Sequence, residues 1–173
     1  MLRLNQKTEN TSGGTPLERL LAARGITSQE EAARYLHPSK EHLHDPMLLG
    51  GMKEALALVR RAQSEGWTIC VYGDYDVDGV SATAILTGFL RGQGLDAFHY
   101  IPSRHSEGYG LNEQAVRKIA GIAKLLITVD CGIRAADLIE LASSLGLAAI
   151  VTDHHQVDES CLPACPVINP LLN

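Results

Sequence analysis

The sequence lacks the features of several protein classes. Its 173 residues contain no apolar run long enough to span a membrane, and the N-terminus has no apolar core of the signal-peptide type. The formal net charge is −5, whereas a protein that wraps nucleic acid through a general basic surface is usually more basic. We therefore expect a cytoplasmic protein that does not contact a membrane. Any contact with nucleic acid must be local or supplied by another region.

Cysteine is also scarce. The sequence has only Cys70, Cys131, Cys161 and Cys165, and only the last two are close together, with three residues between them. Because no second close pair is present, the sequence predicts neither a zinc site nor a disulfide framework. We expect reduced cysteines without a special role.

The remaining pattern predicts an α/β protein. An apolar fraction of 45% fits one globular domain with a core. Residues 1–14 are polar and predict a mobile tail, and residues 15–66 predict a helical lead-in in which Ser28 and Glu31 form a capping box. In residues 67–173, helices alternate with strands that are nearly continuous in Val, Ile and Leu. The predicted helices include an apolar one over residues 80–91 and one over residues 112–119 that Asn112 could cap. This alternation predicts an open, mainly parallel β-sheet with helices on both faces.

Acidic residues and histidines follow three of the predicted strands. In open parallel sheets, ligands bind beyond the carboxyl ends of the strands. The fold would therefore bring these three segments to one edge of the sheet. The residues concerned are Asp74, Asp76 and Asp78 in the first segment, Asp130 in the second, and Asp153, His154 and His155 in the third.

The first segment, DYDVDG, has several interpretations. Three carboxylates in five residues repel one another unless cations bridge them, and a solvated turn is a poor fit between an apolar strand and an apolar helix. An EF-hand would need Glu at the twelfth position, which is Ile85, and a helix before the loop. An aspartate-nucleophile phosphatase also places D-x-D after a strand, although it would not require the histidine pair.

The combined ligands predict a metal centre. Imidazole together with carboxylate suits Mn²⁺, Fe²⁺ or Zn²⁺ better than Mg²⁺ or Ca²⁺, which prefer oxygen ligands alone. The three segments supply enough ligands for two cations about 3.5–4 Å apart. Such a pair activates a water near neutral pH and stabilises the charge on phosphorus during an in-line displacement. The pattern therefore predicts hydrolysis of phosphodiesters without a Ser or Cys nucleophile.

Four ordered motifs closely resemble the DHH phosphoesterase superfamily, and within it the RecJ branch of single-stranded-DNA-specific exonucleases. The resemblance covers nearly everything after the N-terminal tail. The motifs occupy residues 71–86, 100–112, 125–133 and 150–170.

The resemblance implies a set of metal ligands. Asp76 and Asp78 match ligands of the first motif, and Asp74 matches its leading acid. Asp130 matches a ligand that can bridge both ions, and His154 matches a ligand of the third motif. Two divalent cations are implied, Mn²⁺ first and Mg²⁺ as the alternative.

The resemblance also implies roles around the cations. His155 matches a residue close to the metals and the scissile phosphate, so that Asp130, His154 and His155 are the expected catalytic residues. Asp153 is expected to orient the histidines. Arg104 is a candidate phosphate contact through its planar fork, and His105 and Glu107 are further candidates in the same segment. The implied partner is single-stranded DNA, with a single-strand-binding protein as a further expected partner.

The chain departs from the superfamily pattern at its end. A fourth motif with another aspartate ligand, a DHH-associated domain and an OB-fold are expected beyond Asn173. We therefore expect an incomplete catalytic domain over residues 67–173, from an exonuclease of DNA repair and recombination. One alternative is another phosphodiesterase of the superfamily, acting on short oligonucleotides, cyclic dinucleotides or pyrophosphate. The second is a non-catalytic nucleic-acid-binding fragment.

Overall fold

The computed structural model describes residues 14–104 and 106–172. Apart from Gly14, the expected mobile tail lies outside the described residues, as does His105. The described residues form two compact units, one ending at Asp45 and the other beginning at Pro46. The domain boundary between residues 66 and 67 stays a prediction.

The first unit is helical. Helix α1 (Pro16–Ala22) is capped by Thr15, and helix α2 (Gln29–Leu36) is capped by Ser28. In the α2 cap, the backbone N–H of Glu31 donates to Ser28 Oγ over 3.1 Å, and the Ser28 N–H donates to Glu31 Oε2 over 3.1 Å. Each bond pairs a backbone N–H group that would otherwise lack a partner at the start of the helix. A 3₁₀ turn (Lys40–His42) follows.

The second unit is a five-stranded sheet with four helices. Its strands are all parallel, in the order β2-β1-β3-β4-β5. None of the helices in the described part of the chain combines the length and apolarity needed to cross a membrane. In chain order the elements are a 3₁₀ turn (Pro46–Leu48), α3 (Met52–Glu65), β1 (Ile69–Gly73), α4 (Val77–Gly92), β2 (Ala97–Tyr100), α5 (Glu113–Ala120), β3 (Leu125–Val129), α6 (Ala136–Ser144), β4 (Ala148–Thr152), a 3₁₀ turn (Glu159–Cys161) and β5 (Val167–Ile168).

The sheet carries helices on both faces, which confirms the predicted fold class. Successive strand residues point to opposite faces. Ile69 and Val71 accordingly pack into a cluster with α3 and α4, whereas Cys70 and Tyr72 pack into a second cluster with α5 and α6. All four side chains are fully buried. Burying each large apolar side chain contributes about 1.5–3 kcal/mol, so the two clusters fix the central strands and the loops that leave them.

Candidate metal centre

The register of the sheet brings three aspartates together. Gly73, Val129 and Thr152 are aligned neighbours at the ends of β1, β3 and β4. The next residue of each strand is an aspartate, so the chain leaves the sheet through three adjacent acidic positions. Asp74, Asp130 and Asp153 are only 1%, 9% and 7% exposed. Three buried carboxyl groups at one sheet edge are costly unless hydrogen bonds or cations compensate them.

Asp76 begins helix α4. Its Oδ1 accepts hydrogen bonds from the backbone N–H groups of Asp78 and Gly79, each over 3.0 Å. The helix therefore starts at Val77, three residues before the predicted start at Val80, and Asp78 lies exposed in its first turn. The hydrogen bond from Gly79 is the main reason why the pKa of Asp76 is lowered, so this carboxylate stays ionised.

Gly79 allows the start of α4 to lie against Asp74. A Cβ atom on Gly79 would lie 2.5–2.8 Å from the backbone O, N and C of Asp74, closer than van der Waals contact permits. The buried Asp74 side chain has an oxygen, Oδ1, with no hydrogen-bond partner among the described residues. A buried carboxylate oxygen without a donor fits a cation, which would supply the missing partner.

Asp130 adopts a strained backbone conformation. Its φ is 59°, and it is the one non-glycine residue with a positive φ in the described part of the chain. This conformation costs of order 1–3 kcal/mol and is concentrated at functional sites. Burial, and then the nearby negative charge of Asp76, raise the pKa of Asp130. His154 Nε2 lies 2.9 Å from Asp130 Oδ1.

Asp153 holds the histidine loop. Its Oδ1 accepts hydrogen bonds from the backbone N–H groups of His154 and His155 over 2.7 and 3.0 Å, and Oδ2 accepts from the N–H of Ile133 over 3.0 Å. Burial opposes ionisation of Asp153, but the bonds from His155 and Ile133 leave its pKa below the ordinary value. The carboxylate therefore remains charged and fixes the loop after β4.

The same carboxylate sets the orientation of His155. Asp153 Oδ1 lies 2.7 Å from His155 Nδ1, and this hydrogen bond raises the pKa of His155. Since Nδ1 donates to Asp153, the neutral ring presents an unprotonated Nε2 on its other side. Nε2 is the nitrogen that can bind a cation or accept a proton.

Asp130, His154 and His155 form a compact ligand group. One potential ligand atom from each residue lies within 4.8 Å of the others. The sequence predicts His155 close to the metals and the scissile phosphate but not as a ligand, whereas its ring lies within the ligand group. Asp74, Asp76 and Asp78 lie outside the three-residue group, so their assignment as ligands stays a prediction.

Two tyrosines join the site although the sequence interpretation missed them. The Arg104 guanidinium lies 5.4 Å from the centre of the Tyr75 ring, and Tyr75 packs edge-on against Tyr109 at 6.3 Å. Tyr109 Oη lies 3.5 Å from His155 Nε2, so a row of side chains leads from Arg104 to the histidines. In the sequence, the only sign of their role is that Tyr75 lies within the acidic motif and Tyr109 lies between two glycines.

A cavity of about 350 Å³ adjoins this row. Its wall includes Tyr109, Ile133, Leu138 and His155, so one side is apolar and the other borders the ligand group. A space of this size falls within the range of small-ligand sites.

Comparisons with known proteins show one family. The sequence model described as "DHH family, N-terminal domain" matches residues 68–173. The single-stranded-DNA-specific exonuclease RecJ of Bacillus subtilis is 40% identical over 158 residues, which are 90% of this chain and 20% of the relative. A crystal structure of RecJ with Mn²⁺ from Thermus thermophilus matches 91% of this chain and 22% of its own, with a TM-score of 0.71 at 32% identity. The structure of RecJ with Mg²⁺ from the same organism matches 91% of this chain and 17% of its own, with a TM-score of 0.53 at 30% identity. The chain spans 20–27% of the curated relatives that it matches.

Proposed function

The chain belongs to the DHH family, and from this membership and the geometry of its ligand group we propose that it is the N-terminal catalytic part of a metal-dependent exonuclease acting on single-stranded DNA. The carrying observation is the group of Asp130, His154 and His155, with ligand atoms within 4.8 Å of one another. It lies at the same sheet edge as the unpartnered Asp74 oxygen. A buried carboxylate oxygen without a partner, at the same edge as this ligand group, is best explained by a bound cation.

We propose two divalent cations as cofactors, Mn²⁺ in the first place and Mg²⁺ as the alternative. The mixed nitrogen and oxygen donors favour Mn²⁺, and RecJ structures have been solved with each of these ions. The proposed ligands are Asp74, Asp76, Asp78, Asp130 and His154. Bound cations of this kind supply an activated water at neutral pH and offset the charge that develops on phosphorus.

The protein groups around the cations orient the reaction. Asp153 holds His155 so that Nε2 faces away from it, where this nitrogen can accept a proton and, once protonated, donate a hydrogen bond to the scissile phosphate. Arg104 presents a planar guanidinium that can bind two phosphate oxygens at once. Asp130, His154 and His155 are therefore the proposed catalytic residues, and Arg104 positions the substrate.

The proposed setting is DNA repair and recombination in the cytoplasm. This proposal is supported by the similar proteins, which are named as single-stranded-DNA-specific exonucleases. The formal net charge of −5 means that this part of the protein offers no general basic surface to DNA. A single-strand-binding protein that delivers the substrate is therefore a proposed partner.

Calorimetric titration of Mn²⁺ into the 173-residue chain tests the centre. We expect Asp76→Ala to weaken binding at least about tenfold. The matched control is Asp96→Ala, because Asp96 is an exposed aspartate at the opposite, amino-terminal edge of the sheet. Equal Mn²⁺ binding by both variants and the unaltered chain would exclude Asp76 from the centre.

Nuclease assays on the full-length protein test the activity. We expect degradation of single-stranded DNA in Mn²⁺ or Mg²⁺, loss of activity with a chelator, and little action on duplex DNA. A substrate panel should include short oligonucleotides, cyclic dinucleotides and pyrophosphate. Preferential hydrolysis of one of these small substrates, with single-stranded DNA left intact, would refute the proposal.

A further inference from the structure

The loop between β2 and α5 lies beside the metal centre and carries Arg104 and Tyr109. Its described residues, 101–104 and 106–111, have no regular secondary structure. Among the described residues, Arg104 has no carboxylate partner and meets only the face of the Tyr75 ring. The position of its guanidinium therefore depends on how the backbone of the loop is held.

Glu107 holds the loop from within. Its Oε1 accepts a hydrogen bond from the Tyr100 hydroxyl over 2.6 Å, and its Oε2 accepts from the Ser103 backbone N–H over 2.8 Å. One carboxylate thus joins the end of β2 to the start and the middle of the loop. The Tyr100 ring in turn stacks on Tyr72 at 5.4 Å, and Tyr72 is fully buried in the central strand β1.

At neutral pH the Glu107 carboxyl group is ionised and the Tyr100 hydroxyl is protonated, as the hydrogen bond between them requires. The bonds from Ser103 and then Tyr100 hold the pKa of Glu107 below its ordinary value. The bond to Glu107 is the main reason why the pKa of Tyr100 is raised to about 12, so its hydroxyl stays protonated. A charged acceptor makes each bond stronger than a bond between neutral groups.

Asn112 extends the network to the end of the loop. Its Nδ2 lies 3.5 Å from Glu107 Oε1 and donates to the Tyr72 hydroxyl over 3.3 Å. Its Oδ1 accepts from the Ala115 N–H over 2.8 Å and so caps α5, as the sequence predicted. The Tyr72 hydroxyl donates to the Gly110 carbonyl over 2.8 Å. The loop is therefore fastened at its start, middle and end to the stacked pair of Tyr72 and Tyr100, of which Tyr72 is fully buried.

We propose that Glu107 is a positioning residue, which fixes residues 101–104 and 106–111 so that Arg104 and Tyr109 face the metal centre and orient the phosphate backbone of single-stranded DNA. This inference rests on the proposed function for its substrate. It replaces the expectation that Glu107 contacts the phosphate, because both carboxylate oxygens already accept hydrogen bonds within the loop and a second anion would repel the substrate.

Hydrogen exchange of the 173-residue chain tests the positioning of the loop. Glu107→Gln keeps the size of the side chain but removes its charge and one acceptor, and Tyr100→Phe removes one donor while keeping the ring stack. For each variant we expect amides in residues 101–111 to exchange at least about tenfold faster, with those of β3 unchanged. The matched control is Glu113→Gln, which removes an exposed glutamate paired with Arg117 on α5. Unchanged exchange in the loop, or equal acceleration in the control, would overturn the proposal.

Binding measurements test whether Glu107 acts through Arg104. The probe is a 5′-phosphorylated, phosphorothioate-linked hexathymidylate, which resists hydrolysis. Its binding to the full-length protein is measured by fluorescence anisotropy in the presence of Mn²⁺. We expect Glu107→Gln and Arg104→Ala each to weaken binding about tenfold. The double variant should lose clearly less than the sum of the two single losses, and Mn²⁺ affinity should stay unchanged. Additive losses would show that Glu107 does not act through Arg104. If the unaltered full-length protein does not bind the probe, the proposed substrate is wrong, while hydrogen exchange still decides whether Glu107 fixes the loop.

Discussion

Two glycines on helix α4 provide a matched test of how the metal-site turn is built. Gly79 lies in the first turn and contacts the backbone of Asp74, whereas Gly88 lies on the exposed side of the same helix. A Cβ on Gly79 would lie 2.5 Å from the carbonyl oxygen and 2.6 Å from the nitrogen of Asp74. Apart from the adjacent residues and the backbone of its own helix, no described atom lies within 4 Å of a Cβ placed on Gly88. Substitution by Ala should therefore have opposite effects at the two positions.

The magnitudes follow from two opposing contributions. Alanine within a helix is favoured over glycine by about 1 kcal/mol, and Gly88→Ala should gain that amount. Gly79→Ala gains the same preference but forces backbone atoms apart from a typical contact distance of about 3.5 Å. Overpacking costs up to about 3 kcal/mol, and the upper value applies because backbone cannot rotate away as a side chain does. The expected net loss for Gly79→Ala is about 2 kcal/mol.

Thermal and urea unfolding of the 173-residue chain measure both effects. At about 2–4 °C per kcal/mol for a chain of this size, Tm should fall by about 4–8 °C for Gly79→Ala and rise by about 2–4 °C for Gly88→Ala. Mn²⁺ affinity should fall only in Gly79→Ala, because that substitution displaces Asp74 and the Asp76 cap. If Gly79→Ala is as stable as Gly88→Ala, the close approach of α4 to Asp74 is not a feature of the protein.

Three further outcomes are expected. Asp153→Asn should lose about 1–3 kcal/mol in the free energy of unfolding, because asparagine keeps one acceptor oxygen and leaves the N–H donors on the other side of the side chain unpaired. The same variant should weaken Mn²⁺ binding 10–100-fold in titrations, because a neutral amide holds the His155 ring less firmly than the carboxylate does; unchanged Mn²⁺ binding would contradict that role. Asp130→Gly should have a free energy of unfolding in urea about 1–2 kcal/mol higher than that of Asp130→Ala, because only Gly adopts a φ of 59° without strain. Equal stability of the two variants would argue against this backbone conformation. Cys161 alone should react rapidly with a thiol reagent at pH 8, because it is exposed while burial raises the pKa values of Cys70, Cys131 and Cys165; rapid labelling of a second cysteine would show that the fold opens there.

The fold was predictable because its signals are local. Near-continuous Val, Ile and Leu runs mark β1, β3 and β4, which are buried on both faces. The start of α4 was misplaced for a physical reason. The predicted start followed the apolar residues from Val80, whereas the actual start is set by Asp76, whose carboxylate caps Asp78 and Gly79. An acidic residue expected to bind metal thus has a second, structural role that the apolar pattern does not show.

The candidate site was only partly predictable. Chain order and the rule for parallel strand ends place Asp74, Asp130 and Asp153 at one edge, and the register of the strands shows them side by side. The role of Glu107 depends on Tyr72, which is distant in sequence and reaches the loop only after the sheet has formed. Such a contact cannot be predicted from the periodicity or the composition of the sequence. Tyr109 beside His155 is a contact of the same kind, across 46 positions.

The energetics of the sheet edge favour a centre that is completed by cations. Asp74 is buried with an unpartnered oxygen, Asp130 has a strained backbone, and the charges of Asp76 and Asp130 repel each other. Each feature lowers the stability of the protein without a ligand, and each is maintained because the two apolar clusters fix the strands that end there. A divalent cation would relieve the repulsion and pair the free oxygen at once. Any species that binds only the folded state stabilises that state. A cation that removes the repulsion between the carboxylates of the folded protein therefore favours folding, and folding in turn favours binding of the cation.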